Sequence, residues 1–344
     1  MDHIQINSEQ AVPAILKILK ANLTPMVAGS PGIGKSDIVA QIAKKYNLKL
    51  IDVRLAQADP VDLMGYPVLN KDSTRMEYAP SKLFPLEGLD TPEEGTNGWL
   101  VFLDELTSAP LSVQSAAYKI ILDRKVDQRS IHSKVAFVAA GNHSTDNAIV
   151  NRMSTALQSR LVHLNLNVDH QAWLDWANDN RLDHRIISFI KFRPELLHKF
   201  DPKHDDNTFA SPRTWHFLSK IIQNTEHFDT TDFAVMAGTV GRGAAVEFNT
   251  YSSIYQDLPD IDDLIANPNS FNVPREPSHQ YAMTTLLSHN MKGDAVDPLM
   301  TVLEQLPLEF QTVALRDIHA MYPDLRSHPR IINWVSKNAD KLFQ

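Results

Sequence analysis

The chain has 344 residues, 43% of them hydrophobic and 22% charged, enough for one large domain plus one or two smaller ones. No run approaches eighteen uninterrupted apolar residues, and the start, MDHIQINSEQ, lacks a basic segment followed by an apolar one. Neither a membrane span nor a secretory signal is therefore read, and the expected location is the cytoplasm. The absence of cysteine excludes disulfides, thiol nucleophiles and zinc-thiolate sites. A net charge of −8 argues against a broad footprint on duplex nucleic acid and leaves only a local basic groove open.

Five short apolar runs have strand character: TPMVAG (24–29), LKLIDVRL (48–55), WLVFLD (99–104), KVAFVAAG (134–141) and LVHLNL (161–166). Most are continuous rather than alternating, which suits strands covered on both faces. Helical patterns lie between them, notably KSDIVAQIAKKYN and LSVQSAAYKIILDRK, and strands alternating with helices predict a parallel sheet. The stretch 56–98 is too long and too rich in proline and glycine for a simple crossover, so it reads as an insert with a hairpin turning near 71–73. After about residue 168 the pattern becomes amphipathic helix, in HQAWLDWANDN, RIISFIKF and RTWHFLSKIIQN. Gly241 and Gly243 read as a helix break or a close packing point rather than a nucleotide loop, and the proline-rich 266–280 as a linker to a last helical segment. The predicted organisation is an α/β nucleotide-binding domain at 1–168, an all-α lid at 169–265 and a helical extension at 266–344. MYPDLRSHPRIINWVSKN within the extension is read as packing on the lid, and Trp173 and Trp176 as core. The closest histidine cluster, His198 with His204 and Asp205, has no compact ligand spacing and predicts no metal.

GSPGIGKS, residues 29–36, matches G-x-x-x-x-G-K-[ST] after an apolar strand and before a helix. Glycines let the backbone wrap a phosphate chain with its N–H groups inward, and the helix adds the positive end of its dipole. The expected nucleotide contacts are Gly29, Ser30, Pro31, Gly32, Ile33, Gly34, Lys35, Ser36 and Asp37, with Lys35 reaching the β and γ phosphates and Ser36 holding Mg²⁺. The third strand ends in Asp104 and Glu105, and paired carboxylates there suit a phosphate-bound cation. Asp104 is the expected second metal ligand and Glu105 the group that orients and deprotonates the attacking water. Asn142 ends the fourth strand, and in the usual additional-strand order it would stand between the first and third strands, near the γ phosphate. ATP and Mg²⁺ are the expected cofactors. NKDS at 70–73 fails as a guanine element because Ser73 stands where N-K-x-D needs aspartate.

Together with an arginine just before the fifth strand and SPR at 211–213, these motifs resemble an AAA+ ATPase, and the details are similar to its MoxR branch. The resemblance covers roughly 20–245. ADPVDLMGYP resembles the acidic element that follows the second strand in that branch, and LDELTSAPLSVQSAAYKIILDRKV resembles its DEinRapp segment. It implies a P-loop core with a five-stranded parallel sheet flanked by helices, followed by the lid and the extension. The insert at 60–82 and a hairpin in DRKVDQRSIHS would face a central pore. It further implies that Asn142 is sensor 1, that Arg160 in ALQSRL is the arginine finger, with Arg152 as runner-up, and that Arg213 is the sensor 2 arginine. Thr107 and Ser108 stand where the family often carries Asn-Arg, and Ser159 replaces an acidic residue before the finger.

The leading expectation is a homo-oligomeric, hexameric ring that hydrolyses ATP between subunits to remodel a protein client, with a von Willebrand factor A protein as partner. A nucleotide-gated scaffold with little turnover and an ATP-driven nucleic-acid motor are the alternatives.

Overall fold

The structure is a computed structural model and describes residues 4–143, 151, 153–201 and 207–342. The chain divides into two compact units, Met1–Asp169 with Asp201–His204, and His170–Phe200 with Asp205–Gln344.

The first unit opens with β1 (Gln5–Ile6) and α1 (Ser8–Lys20), whose N-terminus is closed by a reciprocal cap between Asn7 and Gln10. Then follow β2 (Thr24–Ala28), α2 (Lys35–Lys45) and β3 (Leu48–Arg54). The insert holds α3 (Pro60–Met64) and the antiparallel pair β4 (Tyr66–Leu69) and β5 (Met76–Ala79). β6 (Gly98–Asp104) and α4 (Leu111–Asp123) lead to the small hairpin β7 (Lys125–Val126) and β8 (Arg129–Ser130). β9 (Val135–Gly141), α5 (Thr155–Gln158) and β10 (Leu161–Leu166) complete the unit.

Among the described residues, the main sheet has six parallel strands in the order β1-β10-β2-β9-β6-β3. Sequence reasoning predicted five. The sixth, β1, is only two residues long and has no apolar run of its own; its pairing with Asn165 and Leu166 at the sheet edge makes it a strand. Three of the predicted strands, β2, β6 and β9, are buried along nearly their whole length, whereas β3 exposes Lys49 and Asp52 and β10 exposes His163. Val101 and Leu103 point to one cluster, with Val113, Ala117 and Ile120 of α4. Leu100 and Phe102 point to the other, with Ile38, Val39 and Ile42 of α2. In the insert, Asn70 N donates to Arg75 O and Ser73 adopts φ +55°, which turns the hairpin where the composition indicated. Its Tyr66, Leu69 and Met76 are exposed.

The second unit is helical: α6 (His170–Asp179), α7 (His184–Phe192), α8 (Pro212–Ile222), α9 (Thr230–Val240), α10 (Arg242–Gln256), α11 (Ile261–Ala266), α12 (Pro277–Asn290), α13 (Val296–Leu303), α14 (Leu308–Met321) and α15 (Pro329–Leu342). Gly241, at φ +85°, is the break between α9 and α10, whereas Gly243 lies inside α10. Phe189, Trp215 and Phe248 pack ring against ring at the centre. Trp173 is buried, and Trp176 meets His216 edge-on. The terminal segment packs inward: Trp334 Nε1 donates to Gln311 Oε1 at 2.6 Å, and Tyr322 Oη to His289 O at 2.7 Å. Lys191 of α7 forms a buried ion pair with Asp317 of α14, and Arg185, paired with the N-cap Asp183 of its own helix, donates to Ile222 O and Thr225 O.

One buried group makes this unit acid-sensitive. Burial, aided by the charges of His184 and Lys191 and opposed by Asp183, pushes the His289 imidazole from its ordinary 6.5 down to about 4. A histidine held neutral in the fold contributes stability that is fully present above about pH 6.5 and is lost as pH falls toward 4. Urea unfolding followed by tryptophan fluorescence should lose about 2 kcal/mol between pH 7 and pH 5 through this group. His289→Gln should flatten that part of the profile. An unchanged slope in the variant would remove His289 from the account.

Candidate functional site

The loop leaving β2 is built around glycine. Gly29 is buried, and a Cβ there would lie 2.5 Å from Ile33 Cδ1 and 2.9 Å from Leu166 O. Gly34 takes φ +92° as it starts α2, a region where any side chain is strained. Lys35, the first residue of that helix, aims its ammonium back over the loop. Its Nζ donates to Gly29 O at 2.6 Å, Ser30 O at 3.0 Å and Asn142 Oδ1 at 3.0 Å. Ser36 Oγ donates to Asp104 Oδ2 at 3.2 Å. Asp37 is exposed in the first turn.

Asp104 closes β6, and its Oδ1 accepts from Glu105 N at 2.8 Å. Glu105 then adopts φ +57°, a left-handed backbone rarely taken by a residue with a side chain. The turn is held from both directions, because Ser108 N and Ala109 N donate to Glu105 O, and Leu106 N donates to Ala140 O. Asn142 follows β9, which lies between β2 and β6 as the expected strand order requires. The phosphate loop, Asp104, Glu105 and Asn142 are therefore gathered at the C-terminal ends of three adjacent strands, the edge where open α/β sheets bind ligands. Asp52, on neighbouring β3, was not singled out from sequence. Its pKa is raised, chiefly by burial and then by the Asp104 carboxylate, with Arg54 opposing. Nothing in its linear context marks it, since its proximity to Asp104 comes from the pairing of β3 with β6.

Arg160 stands elsewhere. Leu161 pairs with Thr24 and Asn165 with Ala28, so Arg160 precedes the N-terminal end of its strand while the loop follows the C-terminal end of β2. The length of β2 separates the two, roughly 16 Å at the rise of a strand. Arg160 Nη1 donates to Ala156 O at 2.9 Å and Ser159 Oγ at 3.0 Å, and its guanidinium lies 5.1 Å from the centroid of the Tyr118 ring. Ser159, which replaces the acidic residue of the family pattern, thus still contacts the arginine, as an acceptor. Arg213 is exposed at the start of α8 in the second unit, behind a cap made by Ser211 and Thr214. Arg152, His204 and Asp205 lie outside the described residues. The described residues contain no group of three or more potential metal ligands of the His, Asp and Glu type, and no helix long and apolar enough to cross a membrane.

Residues 25–161 match the family model described as AAA domain (dynein-related subfamily). The first unit is an AAA+ ATPase domain. Among solved structures, one described as a "putative ATPase" from Cytophaga hutchinsonii is 13% identical, with a TM-score of 0.38, covering 92% of this chain and 82% of that one. A RuvB mutant of Thermotoga maritima is 13% identical with a TM-score of 0.35, covering 95% of this chain and 88% of that one. The AAA+ domain binds nucleotide, and its residues fit the expected groups. The glycine loop with the Lys35 ammonium is shaped for a phosphate chain. The hydroxyl of Ser36 beside the carboxylate of Asp104 is a hard-oxygen donor set of the kind Mg²⁺ takes.

Proposed function

We propose that this ATPase is MoxR-like and works as a hexameric ring, hydrolysing ATP at the boundaries between subunits to remodel a protein client. The observation that carries the ring is the placement of Arg160 at the sheet edge opposite its own phosphate loop. An arginine so placed is out of reach of its own nucleotide and fits that of a neighbour. AAA+ proteins typically assemble as rings, which supports the same reading.

In this reading the loop 29–34 and Lys35 bind the phosphates. Ser36 and Asp104 would hold Mg²⁺, which neutralises phosphate charge when bound. Glu105 takes a proton from water as the water oxygen bonds to the γ phosphorus and the bond to the ADP oxygen breaks. Asn142 holds that water or the γ phosphate in line, and the neighbour's Arg160 balances the charge that develops. The MoxR assignment rests on ADPVDLMGYP and the segment after Glu105, and the von Willebrand factor A partner follows from that likeness.

Sedimentation velocity with and without ATP, paired with turnover measured over a range of protein concentrations, tests the ring. The expected result is a nucleotide-dependent oligomer whose specific activity rises with concentration. A monomer with concentration-independent turnover would overturn it.

A further inference from the structure

The turn after Glu105 contains a buried hydroxyl that the mechanism above does not use. Thr107 Oγ1 accepts from Asn142 N at 3.1 Å and donates to Asn142 O at 3.3 Å, so a single side chain brackets the backbone of Asn142. The two residues are 35 apart in sequence and come from adjacent strand ends. Thr107 is 6% exposed, and the packing around it is close. A Cβ on Gly141 would lie 2.5 Å from Thr107 Oγ1 and 2.8 Å from its Cγ2, so glycine is what allows the threonine to approach.

The bracket is tied into the site on three sides. Gly141 O accepts from Gly29 N at 3.2 Å, which fixes the backbone before Asn142 to the start of the phosphate loop. Asn142 Oδ1 receives the Lys35 ammonium. Thr107 O accepts from Asn151 N at 2.7 Å, and Asn151 Nδ2 donates to Ala109 O at 2.9 Å, which anchors the turn to the chain that leads to Arg160.

We propose that Thr107 is a positioning residue: its hydroxyl sets the backbone of Asn142, and thereby where the Asn142 amide stands relative to Lys35 and Glu105. The physical basis is that a buried hydroxyl bonded both ways to one residue restrains that residue's rotation as well as its distance. A valine of the same shape keeps the packing and removes both bonds. The proposal rests on the reading of Asn142 as the amide that orients water or γ phosphate.

Thr107→Val should lower kcat about tenfold to a hundredfold while KM for ATP stays within about threefold of the parent. Thr107→Ser, which retains the hydroxyl, should recover most of the loss. In the Asn142→Ala background, Thr107→Val should cost nothing further, because its effect passes through Asn142. Multiplying losses in the double variant, or a kcat untouched by Thr107→Val, would overturn the proposal. If Asn142→Ala itself turns over normally, the role given to Asn142 is wrong and the proposal falls with it. If Asn142→Ala is slow and Thr107→Val is not, only the proposal fails. Should the valine variant not fold, as judged by binding of a fluorescent ATP analogue, Thr107→Ala carries the same cycle.

Discussion

Arg160→Ala should bind ATP as the parent does and lose about 10³-fold or more in turnover. The guanidinium is exposed, and among the described residues no carboxylate pairs with it. Its contacts are a carbonyl, a hydroxyl and the Tyr118 ring, which hold its direction without cancelling its charge. Such a cation is available to an anion on another molecule, and the sheet register keeps it from its own phosphate loop. Lysine should not substitute well, because an ammonium lacks the planar fork that spans two phosphate oxygens. Mixing decides the geometry. Arg160→Ala and Lys35→Ala subunits, each inactive alone, should regain turnover when co-assembled, because one supplies the phosphate loop and the other the arginine. Absence of recovery in verified mixed oligomers would sink the shared site.

Glu105→Gln should retain ATP and lose about 10²- to 10⁴-fold in steady-state phosphate release, the usual range for removing a positioned general base. Glutamine has the same length, and the turn that presents it is held by main-chain bonds from Ser108 and Ala109, so the backbone at φ +57° has no reason to change. Ser36 and Asp104 are untouched, so nucleotide affinity should stay near that of the parent. Equal turnover in the variant and the parent would remove Glu105 from the mechanism. If the proposed ring forms, this variant held in its ATP state is also the form in which to capture any client or partner from the native host. Stimulation of the parent by single-stranded DNA, falling steeply with salt, would instead favour a nucleic-acid motor.

The residues proposed to bind phosphate were legible because they are local. A strand, a glycine loop and a helix start are contiguous from Thr24 to Lys45, so the pattern that marks them lies within about twenty positions. β2, β6 and β9 were legible for a related reason: burial on both faces leaves a continuous apolar run in the chain itself, while β3 and β10 carry enough apolar residues between their exposed polar ones to read as strands. β1 has no such mark, because two residues at a sheet edge become a strand only through the partner they meet.

What the chain by itself determined is therefore the chemistry of each group: a phosphate loop, an acid pair, an amide and a nearby arginine. Tertiary structure decided which of them can act together. Lys35 meets Asn142 across 107 positions, and Thr107 meets the same asparagine across 35, because parallel strands bring their C-terminal ends to one edge. The same register carries Arg160 to the opposite edge, a full strand length away. No periodicity encodes that separation; it follows from the direction in which neighbouring strands run.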